Sequence, residues 1–78
     1  MRVLFYGPLA DAIGGEAEAS VREGCSIGEL REKLRAAHPA ASTDIGRSRA
    51  IIGTTAVSED FRMAAGEVVE FLPPVSGG

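Results

Sequence analysis

Ser26-Ile27-Gly28-Glu29-Leu30-Arg31-Glu32-Lys33-Leu34-Arg35-Ala36-Ala37-His38-Pro39 is the stretch on which the fold turns. It opens with a capping box, in which the Ser26 oxygen accepts a backbone N–H while Glu29 reaches back to the N–H of the cap. Ile27, Leu30, Leu34 and Ala37 fall at i, i+3, i+7 and i+10, which predicts one apolar stripe along an amphipathic helix. Glu29 and Lys33 stand in the favourable i,i+4 order on the polar side, where Glu32 also faces Arg35. His38-Pro39 ends the helix, because the residue before a proline is pushed out of the α region. A stripe of this kind cannot bury itself; it needs a sheet to lie on.

Strand signals flank the helix on both sides. Val3-Leu4-Phe5-Tyr6, β-branched and aromatic and closed by Gly7-Pro8, predicts a first strand. Leu9 to Ile13 has helical spacing for a turn or two before Gly14-Gly15. Ala17 to Arg22 reads as a second strand returning beside the first, closed by Gly24. Beyond the helix, residues 40–48 read as a loop, Arg49-Ala50-Ile51-Ile52 as a third strand and Thr54 to Val57 as a short fourth. Phe61 to Ala65 reads as a turn or a single 3-10 turn. Glu67 to Leu72 reads as the last strand, stopped by Pro73, which cannot donate to a ladder. The expected class is therefore α+β, a mixed sheet in β-β-α-β-β-β order with one main helix on one face. Period-two alternation puts Val3, Phe5, Val69 and Phe71 under the helix and leaves Leu4, Tyr6, Val68 and Leu72 on the other face. An apolar set on an uncovered sheet face is a candidate partner surface.

Composition narrows the function. Seventy-eight residues make one domain, and a domain this small buries only about 60% of its unfolded surface, with little room for a catalytic cleft. A hydrophobic fraction of 45% with 24% charged residues is that of a folded globular chain. Eight basic residues, seven of them scattered arginines, against eleven acidic ones leave a net charge of −3, without the basic footprint that nucleic acid requires. Such a balance favours a partner protein with a basic surface. Cys25 is alone, which excludes a disulfide framework and metal-ligand spacing, and it reads as a small structural residue. The apolar start is interrupted by Pro8 and Asp11, unlike a signal peptide, and no run is long enough to span a membrane; the expected compartment is the cytoplasm. Nothing in the chain forms a triad, a carboxylate pair with a nucleophile, or a phosphate loop.

What remains is the end, Pro73-Pro74-Val75-Ser76-Gly77-Gly78. Proline fixes its own φ and biases its predecessor towards extended backbone, whereas glycine adds no bulk. Together they predict a projecting neck with a slim tip, suited to threading a narrow channel in another protein. The expected organisation is a domain over residues 1–72 and a flexible projecting tail over residues 73–78.

The strand and helix order with a projecting Gly-Gly resembles the ubiquitin-like β-grasp fold. More narrowly, Phe71-Leu72-Pro73-Pro74-Val75-Ser76-Gly77-Gly78 resembles the ending of the MoaD family, the small subunits of molybdopterin synthase. Val3-Leu4-Phe5-Tyr6 is similar to that family's opening, Ser26-Ile27-Gly28-Glu29-Leu30 to its helix start, and Gly66-Glu67-Val68-Val69-Glu70-Phe71 to the stretch leading into its tail. Ile51-Ile52-Gly53-Thr54-Thr55-Ala56-Val57 departs from the hairpin the family often has there.

The resemblance implies a sulfur carrier in molybdenum cofactor biosynthesis, a sulfur-donating subunit without acid or base groups of its own. It implies that a ubiquitin-activating-type enzyme (MoeB-like) adenylates Gly78 with ATP, and that a sulfurtransferase or cysteine desulfurase then converts Gly78 to a thiocarboxylate. The charged tail would enter the large synthase subunit (MoaE-like), in a heterotetramer of two small and two large subunits, and give its sulfur to cyclic pyranopterin monophosphate. The family binds no cofactor or metal of its own; ATP belongs to the activating partner. Gly77 would keep the path narrow, Pro73, Pro74, Val75 and Ser76 would line the partner's channel, and Leu72, Tyr6, Leu4 and Val68 would form the partner surface. Carriers for thiazole, cysteine or tRNA thiolation, and ubiquitin-like protein modifiers, share the fold and the Gly-Gly, and only the Pro-Pro-Val-Ser context speaks for molybdopterin.

Overall fold

The computed structural model describes residues 1–64 and 66–73. Strand β1 (Arg2–Phe5) is followed by α1 (Pro8–Ile13), β2 (Glu16–Glu18) and the main helix α2 (Ile27–Ala37). A 3-10 turn (Pro39–Ala41), α3 (Ser42–Arg47), β3 (Arg49–Ile52), β4 (Thr55–Ala56) and β5 (Val68–Leu72) complete the order. The five strands form one mixed sheet in the spatial order β2-β1-β5-β3-β4. At its centre β1 and β5 run parallel, with Phe5 opposite Phe71, and the remaining pairings are antiparallel. This is the expected α+β arrangement, with the main helix clasped by a mixed sheet.

Helix α2 starts as its sequence dictates. Ser26 accepts from the Glu29 N–H at 3.1 Å, and the Ser26 N–H donates back to the Glu29 carboxylate at 3.4 Å. Ile27, Leu30 and Leu34 are buried against Val3, Phe5, Val69 and Phe71 in a core that also takes in Leu9, Ile45 and Met63. The Phe5 and Phe71 rings stack with centroids 6.1 Å apart. Ala37 departs from the expected stripe and is exposed. It is the last residue of α2, past the part of the helix that covers the sheet, whereas Arg31, on the stripe's other flank, is buried. The expected Glu29–Lys33 pair is also replaced: Lys33 donates to the Ser20 carbonyl, and Glu29 faces Arg62 at 3.7 Å.

Three further boundaries differ. Ala17 to Arg22 forms a strand only as far as Glu18, because residues beyond Ala19 have nothing opposite them in β1, and Ser20 turns its carbonyl to α2. Residues 40–48 are mostly helical rather than a loop. Pro39 suits the first position of the 3-10 turn, and Ile45 is the one apolar anchor of α3. In the stretch from Phe61, Arg62 makes an isolated bridge with Ser26, and Met63 is buried and bonded through its N–H to the Cys25 carbonyl. The atypical segment closes as a β3–β4 hairpin, with Ile51 opposite Ala56 and Gly53 at a φ of 66° in its turn.

Candidate functional site

Register settles what the uncovered side of the sheet carries. Leu4 lies opposite Glu70, Arg2 opposite Val68, Ile51 opposite Glu70 and Arg49 opposite Leu72. Leu4, Ile51, Val68 and Leu72 thus share one face. They are half-buried and lie outside the core cluster, while Tyr6 at the end of the row is 42% exposed. Glu70 stands in their midst, opposite both Leu4 and Ile51 and between Val68 and Leu72 along β5, while Arg2, paired with Glu16, and Arg49 stand at the edges. The four partner-surface residues expected from alternation, Leu4, Tyr6, Val68 and Leu72, are therefore brought together.

The Tyr6 hydroxyl donates to Glu70 at 2.6 Å. That hydrogen bond, with smaller contributions from burial and the Glu70 charge, holds the phenol's pKa above its ordinary value of 10.0. The Tyr6 N–H donates to the Phe71 carbonyl at 3.2 Å, so the chain beyond β1 stays alongside the end of β5. Gly7 comes next, at a φ of 63°, and lies against Pro73, which is half-buried. Pro74, Val75, Ser76, Gly77 and Gly78, the other expected tail residues, lie outside the described residues.

Behind this face a charged side chain braces β5 from within the core. Arg31 is 8% exposed. Its Nε and Nη2 donate to the two carboxylate oxygens of Glu59 at 2.9 and 2.8 Å, a bidentate pair. Its Nη1 donates to the Ile45 and Ser48 carbonyls and to Ser48 Oγ. The Arg31 hydrogen bond holds the Glu59 carboxyl below its ordinary value of 4.5, against a smaller opposing effect of burial. One guanidinium thus ties α2 to α3, to the start of β3 and to the loop before β5.

Cys25 is buried, and burial pushes its thiol pKa up, the reverse of what a nucleophilic cysteine needs. It sits beside an open polar groove of about 190 Å³ shared with Ser20, Arg22, Glu29 and Lys33. Among the described residues no group of three or more His, Cys, Asp or Glu could hold a metal ion, and no helix is long and apolar enough to cross a membrane. Sequence reading did not single out Glu70, Ile51, Gly7 or Arg31. For Glu70 and Ile51 the signal was available, since both alternate in step with residues already placed on the open face. For Gly7 and Arg31 the contacts are with residues distant in the chain.

Residues 3–78 match the model of the ThiS family. The molybdopterin synthase sulfur carrier subunit of Escherichia coli (strain K12) is 29% identical over 80 residues, covering 100% of this chain and 99% of the relative. Among solved structures, small archaeal modifier protein 1 of H. volcanii superposes with a TM-score of 0.80 at 23% identity, covering 95% of each chain. One chain from the protein–protein complex of subunits 1 and 2 of the molybdopterin-converting factor from Helicobacter pylori 26695 gives a TM-score of 0.69 at 20% identity over 99% of this chain and 96% of that one. The ubiquitin-like β-grasp expectation is borne out, as is the resemblance to the small subunit of molybdopterin synthase.

Proposed function

The chain belongs to the ThiS family, and on that footing we propose that it is the sulfur carrier of molybdopterin synthesis. The supporting observation is the family match itself, which runs through Gly77 and Gly78, together with the whole-length similarity to a molybdopterin synthase sulfur carrier subunit. In this reading the Gly78 carboxylate attacks ATP on an adenylating enzyme, releasing pyrophosphate and leaving an acyl adenylate. The terminal sulfur of a persulfide on a sulfurtransferase or cysteine desulfurase then displaces AMP, and a thiol reductant cleaves the resulting acyl disulfide, leaving the thiocarboxylate and the donor's thiol. Activation is needed because a carboxyl terminus, with a pKa of about 3.5, is ionised at neutral pH and a poor electrophile.

The large synthase subunit docks on the strip formed by Leu4, Tyr6, Val68 and Leu72, and the segment Pro73 to Gly78 enters its channel. There the sulfur passes to cyclic pyranopterin monophosphate, and water returns Gly78 to a carboxylate. The chain contributes the sulfur and a docking face; acid, base and pterin-binding groups belong to the partner. ATP belongs to the adenylating enzyme, and the proposed compartment is the cytoplasm. The complex solved for the structurally similar Helicobacter pylori subunits supports a two-subunit assembly of this kind.

Reconstitution tests this reading. Chemically prepared Gly78 thiocarboxylate is mixed with the large molybdopterin synthase subunit of the same organism and cyclic pyranopterin monophosphate. Dithiolene formation is expected. Stable thiocarboxylate that yields no dithiolene, but supports thiolation in a thiazole, cysteine or tRNA system, would move the protein to another sulfur pathway.

A further inference from the structure

Glu70 is a carboxylate set among apolar side chains. Leu4 and Ile51 stand opposite it on the two neighbouring strands, and Val68 and Leu72 flank it along β5 on the same face. Strand geometry puts those four side chains within about 5–8 Å of it, and none of them can donate a hydrogen bond. Glu70 is half-buried. Its Oε2 accepts from the Tyr6 hydroxyl at 2.6 Å, while Oε1 receives no hydrogen bond among the described residues. The cations placed on this face, Arg2 opposite Val68 and Arg49 opposite Leu72, form no ion pair with it, and Arg2 is held by Glu16.

In the free protein this arrangement costs little, because no side-chain oxygen without a partner is buried among the described residues and water solvates Oε1. A docked partner takes that water away. A carboxylate covered with only one neutral donor is strongly unfavourable unless a cation meets it. A second copy of this chain seated symmetrically on the strip would not supply one, since a two-fold axis through its centre brings Glu70 against Glu70.

We propose that the large synthase subunit brings an arginine or lysine side chain to Glu70, in the middle of the docking face, and that this pairing selects the partner. This rests on the sulfur-carrier reading. Tyr6 holds the carboxylate in place beforehand through its hydroxyl, so little freedom is lost on pairing. A surface offering only apolar groups would match Leu4, Ile51, Val68 and Leu72 yet strand the charge between them, and is rejected on that account.

Glu70→Gln and Glu70→Leu, made in the full chain, separate this pairing from a face that binds through its apolar groups alone. Melting reports folding, and surface plasmon resonance against the large synthase subunit of the same organism reports affinity and dissociation rate. Both variants should fold, since position 70 lies outside the core cluster. Both should bind about tenfold or more weakly, chiefly through faster dissociation, because each leaves the partner's cation covered and unpaired. A purely apolar contact gives the opposite sign for Glu70→Leu, which would bind more tightly once no carboxylate has to be dehydrated. Should Glu70→Leu fail to fold, Glu70→Gln alone carries the comparison. Affinity equal to or above wild type in either folded variant overturns the proposal and leaves the carrier reading intact. Wild-type protein that does not bind the large subunit at all overturns both.

Discussion

The guanidinium carbon of Arg31 lies 5.2 Å from the ring centroid of Phe71, so a buried charge on the main helix presses on the strand that leads to Pro73. The same guanidinium spans Glu59, Ile45 and Ser48. A small core gains from this because one side chain satisfies polar groups of three connections that carry little apolar surface of their own.

Arg31→Ala is therefore expected to destabilise the fold by about 2–4 kcal/mol, given that hydrogen bonds to charged groups contribute about 1.5–3 kcal/mol and stranded acceptors cost more. Chemical denaturation measures it. Arg31→Lys should recover only part of the loss, since an ammonium cannot reproduce the bidentate pair.

Glu59 supplies the pH dependence of this brace. Its carboxyl is held below 4.5 in the folded protein, so its contribution is present above pH 4.5 and is lost as pH falls through the folded value. The stability gap between wild type and Glu59→Gln should be constant near neutrality and close below pH 4.5. A gap that widens on acidification would contradict the Arg31–Glu59 assignment.

Tyr6 is the chain's single tyrosine and there is no tryptophan, so its ionisation is read directly from ultraviolet absorbance. With its proton donated to Glu70, it should titrate above 10.0, and Glu70→Gln should bring it back towards that value. Here the linkage has the opposite sign: the contribution is present below pH 10.0 and lost as pH rises through the folded value.

Much of this was legible because it is local. The α2 cap and stripe lie within one short window, and the Leu4, Tyr6, Val68, Leu72 face comes from alternation in two strands. Helix α3 was not legible, since six residues with one buried apolar side chain have no periodicity to detect. Arg31 was hidden for another reason: it stands on the flank of the apolar stripe, and its partner Glu59 lies 28 positions away. Ala37 shows the converse error, a correct period carried past the point where α2 still covers the sheet. The Gly7–Pro73 contact joins two turn signals that look unrelated along the chain.

The open face predicts a clean separation of folding from binding. Leu4→Asp, on a half-buried position outside the core, should stay folded yet weaken binding to the large synthase subunit by at least about tenfold, the usual scale for an interface anchor. Titration calorimetry checks it. Unchanged affinity would remove Leu4 from the docking surface.

Whether Gly78 holds sulfur is decided by intact-mass spectrometry. Protein with a free Gly78 carboxylate is incubated with an adenylating enzyme, ATP and a sulfur donor. A sulfur carrier should gain the mass that exchanges one oxygen for sulfur, located at Gly78 by fragmentation and absent from a Gly78-deleted chain that is equally well folded. An unchanged carboxylate, under conditions that charge an established carrier, would rule the carrier role out.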